Sequence, residues 1–333
     1  MNKMWLVVTT INPPTEAIKT ISEMAANGWS VIVVGDRKTP PNWSAPNIEY
    51  ISIENQKELF GELATLIPYN HYCRKNLGYL YAIRRGADCI LETDDDNIPY
   101  EDFGQGLRKE ISAKLVKGAR WINIYKYFSD EHIWPRGLPL EEIRSVGSIS
   151  SEVVTDIFPI QQFLADIDPD VDAIYRMIVN KEVVFNRSPT IGVDRGCWVP
   201  FNSQNTLFFK EAYPLLYLPC HVSFRMTDIW RSFVAQQALW VCDYRIAFHA
   251  ATVKQVRNAH DLTRDFADEV PGYLNNQRII QLLTERAKDL DSSLGLAAIA
   301  RELWVTLHKN EILPDIEMTI LDCWFDALSS TVS

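Results

Sequence analysis

The chain has 333 residues, 47% hydrophobic and 23% charged, with a formal net charge of −10. This is an ordinary globular composition with ample core, enough for one large domain or two moderate ones. The acidic balance argues against a sequence-independent nucleic-acid binder, which needs a basic field, but local basic clusters can still hold an anionic substrate.

The first hundred residues alternate strand and helix signals. WLVVTT is a β-branched run that reads as a first strand, followed by the loop INPP. PTEAIKTISEMAANG reads as a helix, with Pro14 near its start and Gly28 as its stop. SVIVVGD is a second buried strand, KTPPNWSAPN a loop and NIEYISI a third strand. QKELFGELATLI and RKNLGYLYAIRRGA carry helical spacing, and CILETDDD is the next strand. Such alternation predicts an α/β fold whose mainly parallel sheet is covered on both faces. Ligands of such folds bind at the carboxyl ends of strands, where Asp36 and Asp94–Asp96 fall.

Further on, RWINIYKYF reads as a strand and HIWPRGLPL as irregular chain. TLFFKEAYPLL, MTDIWRSFVAQQAL and WVCDYRIAFHA supply more strand and helix signals. From about Pro271 the chain turns helical, through NNQRIIQLLTERAKDL, LGLAAIARELWVTLHK and DIEMTILDCWFDAL. The opening MNKMWLVVTTINPP has too short an apolar run for a signal peptide or a membrane span, and no later span is expected. Six scattered cysteines form no CxxC pair, which disfavours a structural zinc site and suits a reduced, cytoplasmic setting.

Five groups of residues carry chemistry. Asp94, Asp95 and Asp96 end an apolar run, and paired carboxylates are hard ligands for Mn²⁺ or Mg²⁺. An ion held there stabilises a diphosphate leaving group. A solvated acidic turn or a helix N-cap also suits these residues. Arg74, Lys75 and Asn76 open the helix that leads into this strand, where they either contact phosphates or form an exposed first turn. Arg84 and Arg85, later in that helix, read as a solvated face. Trp134, Pro135 and Gly137 stiffen a loop that presents Arg136, and Arg144 follows; both arginines suit bidentate phosphate or carboxylate recognition, or a packed surface loop.

Thr227 reads as a helix N-cap with Asp228 in the first turn, a position favoured electrostatically and equally open to a rigid general base. His249 ends an apolar strand, where it is a metal ligand or a structural histidine; Lys254, Arg257 and Asn258 after it are candidates for phosphate contact.

VVTTIN, VIVVGD, YCRKNLGYLYAIRRGADCILETDDDN, WPRGLPL and MTDIWRS together resemble the STELLO group of glycosyltransferase-like proteins. RGLPLEEIR, DPDVDA, TDIW and FHAATVKQVRN are more distantly similar to the reversibly glycosylated polypeptides, the UDP-arabinopyranose mutases. The resemblance runs in order from about residue 4 to 260 and leaves the helical tail outside it. It implies a GT-A (Rossmann-like) nucleotide-diphospho-sugar transferase fold over residues 1–270, a C-terminal helical appendage over 271–333, and Mn²⁺ or Mg²⁺.

By that resemblance Asp36 touches the nucleoside and Arg74 the diphosphate. Asp94 and Asp96 form the DxD pair, Asp96 ligates the metal, and His249 is its other ligand. Arg144 is the nearest match to the arginine that is glycosylated in the mutases. The cofactor-site candidates are thus Asp36, Arg74, Lys75, Asn76, Asp94, Asp95, Arg136 and Lys254, with Asp228 and Arg144 as catalytic candidates. The expected partners are a nucleoside-diphosphate sugar, by default a UDP-sugar, and a carbohydrate or glycoconjugate acceptor. A homo-oligomer stays open. A self-glycosylating mutase and a catalytically silent scaffold are the alternatives.

Overall fold

The computed structural model describes residues 3–26, 28–257 and 261–332. Its first part alternates as expected: β1 (Met4–Thr9), α1 (Glu16–Ala25), β2 (Ser30–Val34), β3 (Glu49–Ile51), α2 (Ile53–Leu66), α3 (Lys75–Arg84) and β4 (Cys89–Asp94). Trp5–Val8 and Val31–Val34 are buried throughout, the pattern of parallel strands covered on both faces. The third strand stops at Ile51 because Ser52 caps α2, in a reciprocal capping box with Asn55. Helix α3 is buried from Lys75 to Ile83 and lies close on the sheet. Gly78 permits that approach, since a Cβ there would stand 2.6 Å from Val7 Cγ1 and 2.8 Å from Val34 Cγ2.

After β4 come β5 (Asn97–Pro99), β6 (Glu110–Lys117), β7 (Ser148–Ile157), β8 (Ile160–Asp166), α4 (Ala173–Ile178), β9 (Ile191–Val193), β10 (Asn205–Phe209), α5 (Thr227–Val241) and β11 (Ile246–Gln255). Three helices close the chain: α6 (Leu262–Ala287), α7 (Leu296–Lys309) and α8 (Asp315–Val332). Among the described residues all eleven strands join one sheet, ordered β3-β2-β1-β4-β10-β8-β11-β9-β6-β7, with β5 on β11. The β3-β2-β1-β4 part is parallel. Strand β10 runs antiparallel between β4 and β8 and begins the mixed part.

The sequence reading differs from this structure in three places. RWINIYKYF is not a strand; it holds a 3₁₀ turn at Ile124–Tyr127 and one isolated bridge, Trp121 to Trp198. The buried Asn123 amide turns the backbone there by donating to Ile133 O at 2.8 Å and Ile143 O at 2.7 Å. Strands β6 and β7 carry no continuous apolar run to mark them: β7 is largely exposed, and β6 mixes buried, partly buried and exposed positions. The C-terminal helices begin at Leu262, before Pro271, because Asp261 caps α6 by accepting from the N–H of Thr263 and Arg264.

Those helices share the main apolar core. Ile279, Leu283, Trp304 and Trp324 pack in one cluster with Val7, Leu77 and Phe233. Glu317 of α8 is fully buried and accepts from Cys220 N at 2.8 Å and His221 N at 2.7 Å. Among the described residues no helix is long and apolar enough to cross a membrane.

A buried ion pair crosses the centre. Arg231 of α5 bonds Glu92 of β4 at 2.5 and 3.1 Å, with side chains 1% and 0% exposed. Removing one member strands the other charge, which costs about 3–5 kcal/mol. Arg231→Met is therefore expected to lower the unfolding free energy by about that amount in a denaturant titration. A loss below about 1 kcal/mol would show that the pair can be dispensed with.

Candidate active site

A cleft of about 530 Å³ opens at the carboxyl ends of β1, β2 and β4. Its volume suits a small-molecule ligand, and its position is where open α/β sheets bind theirs. Thr9–Asn12, Asp36 and Asp94–Asp96 form one wall; Arg136, Asp170, Asn202–Gln204 and Asp228 face it from the mixed half.

The three aspartates are drawn in three directions. Asp94 Oδ1 accepts from Lys75 Nζ at 2.6 Å, and this lysine side chain is 0% exposed. Asp95 turns to β1, accepting from the Thr10 hydroxyl and from Asn12 Nδ2 at 3.1 Å, while burial raises its pKa. Asp96 Oδ2 accepts from Gln255 Nε2 at 3.1 Å, and Asp96 Oδ1 is buried with no hydrogen-bond partner. Burial, then the neighbouring Asp94 charge, pushes the Asp96 carboxyl up to about 7. No group of three or more His, Cys, Asp or Glu forms a ready metal site among the described residues. Asp94 and Asp96 are nonetheless two hard oxygen donors, and the orphan oxygen of Asp96 fits a cation whose other ligands are water or phosphate.

The opposite wall turns on Arg136. Its fork bonds Asp170 at 2.8 and 2.8 Å and Asp228 at 3.0 and 3.0 Å. Gly137, at φ 90°, makes the loop's turn, and a Cβ there would meet Ile229 Cγ2 at 2.5 Å. Burial alone would raise the Asp228 carboxyl, but the Arg136 guanidinium overrides it and holds the group well below the usual carboxylate range. Asp228 also accepts from the Tyr72 hydroxyl at 3.1 Å and Ser203 N at 3.1 Å. A carboxylate so fully engaged is a poor proton acceptor and a good anchor. Met226 occupies the N-cap of α5 in place of the expected Thr227, and no side chain caps the helix.

The other sequence candidates divide. Asp36 lines the cleft, its carboxylate held by Arg37 N at 2.7 Å and His71 N at 3.2 Å. Lys75 lies behind the lining and reaches the site through Asp94 and the Ser203 carbonyl, at 2.6 and 2.9 Å. Arg74 lies outside the lining, buried against α2, donating to Gln56 Oε1 at 2.8 Å and Ile67 O at 3.0 Å. Asn76 is buried behind the site and bonded to the backbone of Leu218 at 2.8 and 2.9 Å.

His249 does not join the aspartates. Its ring nitrogens lie 3.0 Å from Thr190 Oγ1 and 3.0 Å from Gln161 Oε1. The ring stacks on Phe163 at 4.5 Å, and burial lowers its pKa to about 4. Lys254, in register with Ile98 and Asp166, and the exposed Arg144 are also absent from the lining. Asn258 lies outside the described residues.

Several lining residues carried no sequence signal of their own. His71, Tyr72 and Phe224 form a ring cluster with centroids 4.8 to 5.3 Å apart. Asp170 lies within DPDVDA, which could have pointed to it; Asn202, Arg225 and Gln255 reach the cleft only through the fold.

A mixed α/β sheet with a cleft at its strand ends and helices at the end of the chain is a Rossmann-like arrangement, one that glycosyltransferases share. Residues 225–331 match the family described as STELLO glycosyltransferases. Over 307 residues the chain is 30% identical to "Probable glycosyltransferase STELLO2" of Arabidopsis thaliana, covering 84% of this chain and 39% of that protein. For "Probable glycosyltransferase STELLO1" of the same plant the identity is 30% over 309 residues, with 84% and 38% covered. The chain is thus similar to the STELLO glycosyltransferases over most of its own length and spans about two fifths of the length of these relatives. The family match includes α6, α7 and most of α8, so the helical tail is part of the resemblance and not outside it.

Asp96 sets a pH dependence. Its carboxyl titrates at about 7 in the folded chain against an ordinary 3.8, so the protonated form fits the fold better. The stability this contributes is complete below pH 3.8 and is lost as the pH rises through about 7. Asp96→Asn mimics the protonated group. In EDTA, the variant's stability advantage over the natural chain should widen between pH 5 and 8 in denaturant titrations. A constant difference across that range would contradict the assignment.

Proposed function

We propose that this chain is a metal-dependent glycosyltransferase of GT-A type, moving a sugar from a nucleoside-diphosphate donor, by default a UDP-sugar, to a carbohydrate or glycoconjugate acceptor. One observation carries the reading: Asp96 Oδ1 is buried and unpartnered beside Asp94, in a cleft at the strand ends. Mn²⁺ or Mg²⁺ held by Asp94 and Asp96 would supply charge neutralisation for the diphosphate leaving group.

The chain's own residues do the rest. Lys75 fixes Asp94, and Gln255 orients Asp96. Asp36, held by two backbone N–H groups, offers its remaining acceptor capacity to the nucleoside. The stacked rings of His71 and Tyr72, with Phe224 set edge-on to both, give an aromatic patch for a base or sugar. Arg136, clamped between Asp170 and Asp228, frames the opposite side with a fixed guanidinium. Asp228 thus acts as a positioning residue, in place of the general-base role expected from sequence. The mutase alternative gains no support, since Arg144 is exposed and absent from the cleft lining.

Two measurements test this. UDP should bind with Mn²⁺ and lose most of its affinity in EDTA, and Asp96→Ala should weaken binding at least about tenfold, the low end for disturbing a metal site. Equal affinity with and without metal would count decisively against the proposal and favour a silent scaffold. Asp228→Asn should lower folding stability by about 3–5 kcal/mol in denaturant titrations, because Arg136 loses a charged partner. Normal stability with transfer slowed at least about 100-fold would restore Asp228 as the base.

A further inference from the structure

The cleft contains a second group of charges that the donor reading leaves unused. Arg176 of α4, Arg225 in the turn before α5, and Arg257 just beyond β11 all line it. Their side chains are 7%, 12% and 10% exposed. Each is gripped by an acid: Arg176 by Asp168, Arg225 by Glu269 at 3.0 and 2.9 Å, and Arg257 by Asp265 at 2.8 Å. These grips fix the guanidinium groups, and on Arg176 they leave Nε buried with no partner. Burial, then the charges of Arg176 and Arg225, lowers the Arg257 pKa to about 10, a sign that the three cations face one space. Rigid, desolvated guanidinium forks with an open donor are the set that an oxyanion completes.

The location separates this set from the aspartates. Asp94–Asp96 end a strand of the parallel half, whereas the arginines come from residues 176–257 of the mixed half. The two sets adjoin, because Gln255 bonds Asp96 two residues before Arg257. Sugar transfer needs that arrangement, with an acceptor held beside the donor. We infer that Arg176, Arg225 and Arg257 form a subsite for an oxyanion group, phosphate or carboxylate, carried by the acceptor. This rests on the donor reading above.

Sulfate, a tetrahedral dianion that stays soluble with magnesium, is the probe. It is titrated into the full chain saturated with UDP and Mg²⁺, alongside Arg176→Gln, Arg257→Gln and Arg257→Lys, each checked for folding by its thermal melt. Sulfate should bind the UDP-loaded natural chain and bind each glutamine variant at least about tenfold more weakly, the usual effect of losing a charged hydrogen bond. Arg257→Lys should retain more affinity than Arg257→Gln, and UDP–Mg²⁺ affinity should be nearly unchanged in all three. Competition between UDP–Mg²⁺ and sulfate, or an equal loss of both in the variants, would assign the arginines to the donor diphosphate and overturn the inference. Sulfate binding that is absent, or equal in all chains, overturns it as well. Failure of UDP–Mg²⁺ to bind the natural chain defeats the donor reading alone; sulfate lost with the arginines would still support an oxyanion subsite.

Discussion

The peptide of Ser203 holds the two walls of the cleft together. Its carbonyl accepts from the buried Lys75 ammonium at 2.9 Å, and its N–H donates to Asp228 at 3.1 Å. Neither charge tolerates isolation, since an unpaired ion away from water costs several kcal/mol. Lys75 must therefore find both Asp94 and this carbonyl, and Asp228 must find both Arg136 and this N–H. The segment before β10 is drawn to one place by two opposite charges, and the cleft lies between them.

The behaviour of the aspartates follows from this. Once Lys75 has claimed Asp94, a second like charge beside it is best turned away, and Asp95 goes to Thr10 and Asn12 on β1. Asp96 is left with one amide contact and one empty oxygen. Its raised pKa is the electrostatic residue of a problem solved for its neighbours and not for itself. The Arg136 network has no such remainder, because both of its carboxylates meet the guanidinium in paired contacts. One wall is closed and rigid, and the other keeps an opening for a ligand.

The parallel half was legible in sequence because its signals are local. Apolar runs such as SVIVV and CILE are bounded by loops and caps, and the strand-end rule then locates Asp36 and Asp94–Asp96. The mixed half was not, since β7 is largely exposed, β6 alternates without a clean apolar run, and RWINIYKYF owes its turn to a distant pair of carbonyls. Among the candidate residues, Arg74 and His249 have the right chemistry, and only packing shows that Gln56, Gln161 and Thr190 already occupy them. Arg176 and Arg225 gain their meaning solely from sharing a cleft with Arg257. Charge type is written in the sequence; which charges face one another is decided by tertiary pairing.

The strand order also bears on how the chain reaches this state. Strands β1 to β4 pair within the first ninety-four residues, the widest of these spans being that between β1 and β4. Strand β10 must then bring Asn205 beside Thr93, and β11 must bring Gln255 beside Asn97. Loop-closure entropy is spent before such distant pairings return any contact energy, which slows their formation. The parallel half can be present as a sheet whose β4 edge is open and whose Lys75 still lacks Ser203. Such an edge is prone to pair with another chain. The seam that forms the cleft in the finished molecule is thus also where the sheet closes its longest loops.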